Sequence, residues 1–69
     1  MKGFIEVKLL NGNTALINVH AIESVVPDVL DGDRLATIYM INGDEERQTR
    51  FKTQQSYEEV KAMIEEAMK

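Results

Sequence analysis

A chain of 69 residues with no cysteine and no tryptophan, 43% hydrophobic and 29% charged, has room for one domain and one modest core. That excludes a disulfide framework, a thiolate metal site, cysteine redox chemistry and a two-domain enzyme. The net charge of −4, from 12 acidic and 8 basic side chains, argues against nonspecific attachment to phosphate backbones or anionic membranes, and no apolar run is long enough to cross a bilayer.

From residue 4 to residue 10, Ile5, Val7 and Leu9 alternate with Glu6 and Lys8, which is the period of a half-buried strand. Asn11-Gly12-Asn13 supplies the positive backbone φ of a tight hairpin and predicts a return strand over 14–20, with Ala15, Ile17 and Val19 on one face. Residues 21–26, with Ile22, Val25 and Val26, predict a short strand, with a turn at its start as the alternative, ended by Pro27, since proline cannot donate to a ladder. Residues 27–34, carrying Asp28, Asp31, Gly32 and Asp33, read as the connecting loop. Residues 35–41 are apolar on both sides, Ala36, Ile38 and Met40 against Thr37, Tyr39 and Ile41, as in a central strand. Asn42-Gly43-Asp44 repeats the hairpin chemistry and returns the chain over 46–53, a polar strand suited to a sheet edge.

The period then changes. Tyr57, Val60, Met63, Ile64, Ala67 and Met68 recur at helical spacing, with Glu58, Glu59, Lys61, Glu65 and Glu66 mainly between them. Ser56 with Glu59 three residues later forms a capping-box pattern, and the first-turn glutamates suit the helix dipole. The expected architecture is a single α+β domain over 1–69, a small antiparallel meander of four or five strands within 4–53, with one C-terminal helix over about 56–68 packed on it.

Ile5-Glu6-Val7 leading to Leu10-Asn11-Gly12, then residues 17–25, Asn42-Gly43 and Ser56-Tyr57-Glu58-Glu59-Val60, resemble small bacterial proteins of the flagellar and swarming motility (FlbD-like) family. The resemblance spans nearly the whole chain and implies a compact set of strands with a C-terminal helix, in a family without an established enzymatic activity. Related small proteins occur in bacteria and phages. A fainter likeness, from Ile22 through Ile64, is to the second half of LytTR-type DNA-binding domains.

No residue set with catalytic or cofactor chemistry emerges. His20 is the single imidazole and falls opposite Val19, on the outside, with no carboxylate or second ligand at a useful spacing. Ser24 and Ser56 have no nucleophile motif around them. Asp28, Asp31, Asp33, Asp44, Glu45 and Glu46 fail the spacing of a calcium loop, so loop solvation is expected rather than a metal site. Glycines at positions 3, 12, 32 and 43 assemble neither phosphate-binding fingerprint.

The sequence therefore leads to a non-catalytic, cytoplasmic interaction or assembly module, without cofactor or membrane insertion, acting through self-association, as in a homodimer, or through a protein partner. Leu16, Leu35, Tyr39 and Ile41 are the candidate contact residues, as apolar side chains falling outside the predicted core face, with Met68 as a further partner-surface residue. The alternative is a nucleic-acid-associated regulator using Arg47, Arg50 and Lys52. Alternation sets Arg47 on the opposite face from Arg50 and Lys52 and turns Phe51 inward, which favours a solvated edge.

Overall fold

β1 (Phe4–Lys8) and β2 (Thr14–Asn18) form the first antiparallel pair in a computed structural model that describes residues 2–30, 33–41 and 49–69, with the backbone alone at Val29, Leu30 and Asp33. Pairing Ile5 with Ile17 and Val7 with Ala15 stacks the apolar alternates on one face, while Glu6 faces Leu16 and Lys8 faces Thr14 on the other. The connection is closed by Leu9 N–H to Asn13 O at 2.7 Å and Gly12 N–H to Leu9 O at 3.0 Å. Gly12 takes φ +92°, a left-handed value that favours glycine, and Asn11 Oδ1 accepts from Asn13 N–H at 2.9 Å. β2 stops at Asn18 rather than at residue 20. Asn18 Oδ1 accepts the His20 N–H at 3.0 Å and turns Val19–Ala21 into a single 3-10 turn, the local competition by which an Asx side chain interrupts a ladder.

The second sheet corrects the expected loop over 27–34. β3 (Ile22–Leu30) and β4 (Asp33–Met40) pair without a slip from Ser24 opposite Tyr39 to Leu30 opposite Asp33, so the connection is residues 31–32 alone, which lie outside the described residues. Pro27 is tolerated because β3 is the outer strand of the order β3-β4-β5. Counting back by twos from the closing pair, residues 28, 26 and 24 turn their N–H groups to β4, so the nitrogen of Pro27 faces outward, where no donor is required.

β5 (Arg50–Ser56) continues past the predicted end of the return strand at residue 53 and runs directly into α1 (Tyr57–Ala67). The predicted turn at Asn42-Gly43-Asp44 and the start of that strand lie outside the described residues. β5 ends its three-stranded sheet, yet its far edge is not free: Leu9 bridges Thr53, and Leu10 N–H donates to Lys52 O at 3.0 Å. Each sheet is a meander on its own, and this bridge sets β1 beside β5.

Ile5, Val7, Ile17, Val19, Ala36, Ile38 and Val60 form the buried core, with Phe51, Met40, Met63, Ile64 and Ala67 packed against it. The helix therefore covers one face of the strands, as its stripe requires. Ser56 Oγ accepts the Glu59 N–H at 3.1 Å, while the Glu59 carboxylate accepts from Gln55 Nε2 at 3.2 Å. Ser56→Ala is expected to cost about 1 kcal/mol, read as a lower urea midpoint at unchanged slope. The Arg34–Glu58 pair at 3.3 Å is exposed on both sides and contributes little. No described helix is long and apolar enough to cross a membrane.

Candidate functional site

The face of β3-β4-β5 turned away from α1 is built in cross-strand rows. Ser24, Tyr39 and Arg50 form one row, Val26, Thr37 and Lys52 the next, and Asp28 stands beside Leu35 in a third. Each follows from the two-residue period of the strands once Ala36 and Ile38 point into the core. Thr37 is buried although it lies on this outward face, as the middle of a row flanked by Val26 and Lys52. Leu10 reaches the same surface from the turn after β1, where it helps line a dimple of about 60 Å³ with Asp28, Leu35, Thr37 and Lys52. That dimple is too small for a ligand larger than a few atoms.

Of the residues singled out in the sequence, Leu35 and Tyr39 lie together on this face, both half-buried. Ile41 follows the end of β4, 59% exposed, its N–H donated to Ala21 O at 2.7 Å. Leu16 is 57% exposed but sits on β2, opposite Glu6, with β1 between it and the β5 ends of the rows. The structure therefore does not gather the four into one patch. Leu10 and Val26, 45% and 42% exposed, complete the patch instead. Val26 is legible in the sequence, because two successive valines on a strand must point to opposite faces. Leu10 is not, because its position depends on the β1–β5 bridge. Met68 is exposed beyond the end of α1.

Arg50 and Lys52 are exposed and share this face with Tyr39, while Phe51 is half-buried and packs on the core. Arg47 lies outside the described residues. The face thus has an apolar middle with two cations along the β5 side and Asp28 as an acidic side chain near Leu35.

His20 is exposed, its imidazole above Gly3. Gly3 takes φ +85°, its N–H donates to Ala67 O at 3.1 Å and its carbonyl accepts from Val19 N–H at 2.8 Å, so this residue joins β1, the 3-10 turn and the end of α1. Among the described residues, no group of three or more His, Asp or Glu side chains is placed to hold a metal ion. Asp31, Asp44, Glu45 and Glu46 lie outside them. No family model matches the chain, and comparisons with curated proteins and with solved structures return no significant match.

Proposed function

We propose that this protein is a non-catalytic interaction module whose outer sheet face binds a protein partner presenting an apolar strip flanked by carboxylates. One observation carries the reading: α1 covers a single face of the strands, and the opposite face sets exposed Val26 and Leu10 around half-buried Leu35 and Tyr39. Burying such a patch removes apolar surface from water, and Arg50 and Lys52 at its side select for acidic neighbours. The FlbD-like resemblance, to strand-and-helix proteins without an established enzymatic activity, agrees with the same reading.

The experiment is capture by the tagged full chain from a nuclease-treated native lysate, with Val26→Lys beside the wild type. Val26 is exposed on an outer strand, so lysine is accommodated in the fold. A defined protein retained by the wild type and reduced at least about tenfold by Val26→Lys supports the reading. Equal recovery by both chains overturns it.

A second reading has its own observation, Tyr39 and Arg50 side by side with Lys52 in the next row, a juxtaposition that stacks and neutralises single-stranded nucleic acid. It predicts loss of all captured material after nuclease. It also predicts oligonucleotide binding that weakens steeply with salt and is abolished by Arg50→Glu with Lys52→Glu.

A further inference from the structure

We infer that the open edge of β1 is a homodimer seam, on which a second copy of this chain lays its own β1 antiparallel about a two-fold axis at Phe4. The inference goes beyond the reading above, because it uses a different surface and names its occupant.

The first support is the ladder. Leu9 N–H donates to Asn13 O, and Val19 N–H donates to Gly3 O, so the odd residues of β1 turn their backbone groups to β2. The N–H and C=O of Phe4 and Glu6 therefore point the other way. On that side β5 reaches only the far end of the strand, where Gln55 Oε1 takes the Lys8 N–H at 3.1 Å and Leu9 bridges Thr53. No hydrogen bond among the described residues reaches the outward groups of Phe4 and Glu6. β5 has by then turned into α1, which leaves a cleft of about 620 Å³ between the strand edge and the helix. An open edge beside a helix is the geometry that accepts an added strand.

The second support is charge, and it selects the occupant. Lys2 and Lys69 stand at one end of the cleft, Glu6 and Glu59 at the other, with Phe4 and Met63 between. Lys69 is already held by Glu66 at 3.4 Å, so Lys2 carries the positive end. A cleft polarised in this way is complementary to itself when turned end for end. The two-fold at Phe4 brings Lys2 towards the partner's Glu6 and Glu6 towards the partner's Lys2, with the Phe4 rings, 37% exposed in one chain, meeting at the axis. The seam joins the sheets as β2-β1-β1-β2. It also places both helices on the same side, where exposed Ala62 is small enough for close approach.

The test uses the full chain and its lack of cysteine. Sedimentation velocity is expected to show a concentration-dependent dimer. Lys2→Glu and Glu6→Lys each weaken it by about tenfold or more, and the double variant restores it to within about threefold, because the swap re-creates the two pairs. Phe4→Cys forms an intermolecular disulfide under mild oxidation faster than Leu16→Cys, since only a residue near the axis meets its own copy at bonding distance. Val26→Lys leaves all of this unchanged, which separates the seam from the outer face. A monomer at every concentration overturns the inference and leaves the cleft to an extended peptide of another protein. So does a dimer that survives both single charge reversals, or one that Val26→Lys dissociates.

Discussion

Ile38→Ala is expected to remove a large part of the chain's stability, read as a much lower urea midpoint at unchanged slope. Ile38 is fully buried in β4, opposite Val25 on one neighbour and Phe51 on the other, and belongs to the cluster that includes Val60 of the helix. Truncating a fully buried isoleucine removes transfer free energy and leaves a cavity, together about 2–5 kcal/mol. A domain of this length holds only about 3–10 kcal/mol in total. The loss is thus a large fraction of the whole stability, whereas Ile38→Val, which removes one methyl, costs about 1 kcal/mol. Urea titration followed by far-ultraviolet circular dichroism measures both. A loss below about 1 kcal/mol for Ile38→Ala would mean that β4 is not the centre of the core.

That centre is legible in the sequence, because residues 35–41 are apolar on alternate positions of both faces. The structure buries Ala36 and Ile38 on one face and Thr37 on the other. Local chemistry also marks the first hairpin, through Asn11-Gly12, and the helix start, through Ser56. Apart from the end of β2, which the Asn18 side chain sets locally, the misreadings share one cause: the residues concerned take their conformation from partners distant in sequence. Pro27 ends a strand only if its nitrogen faces a neighbour, and whether it does depends on which strand lies outermost. Residues 54–56, Gln-Gln-Ser, carry no strand preference. They are strand because β4 pairs with them past the register shift, Leu35 opposite Ser56, and Gln54 Nε2 donates to Leu9 O at 2.6 Å while Gln55 Oε1 accepts from Lys8 N–H, contacts spanning more than forty positions. The candidate surface is half legible for the same reason. Period two puts Tyr39, Leu35, Arg50 and Lys52 outward, but only the strand order decides that Leu16 lies apart from them and that Leu10 joins them.

The same long-range dependence makes Thr53 the polar residue with the most to lose. It is fully buried, and its hydroxyl donates to Ala36 O at 2.8 Å while its oxygen accepts from Gln55 N–H at 3.2 Å. These bonds occur where the β4–β5 register slips between Leu35 and Thr37, so the side chain satisfies backbone groups that the interrupted ladder leaves over. Thr53 also bridges Leu9, so one residue holds the bulge closed and ties the two sheets together. Thr53→Val keeps the shape and removes the hydroxyl, stranding a buried carbonyl and an N–H. The expected cost is about 2–3 kcal/mol, which lowers the melting temperature by roughly 10–20 °C in a domain of this size. Thr53→Ser keeps the hydroxyl and gives up one methyl, about 1 kcal/mol. Thermal melts of both variants decide the point, since a Thr53→Val loss no larger than that of Thr53→Ser would show that the hydroxyl is not what holds the bulge. Hydrogen exchange adds a local reading. Gln55, freed from Thr53, no longer presents Oε1 to Lys8, so the Lys8 amide is expected to exchange faster in Thr53→Val than in the wild type, while that of Ile17, held in the β1–β2 ladder opposite Ile5, is unchanged.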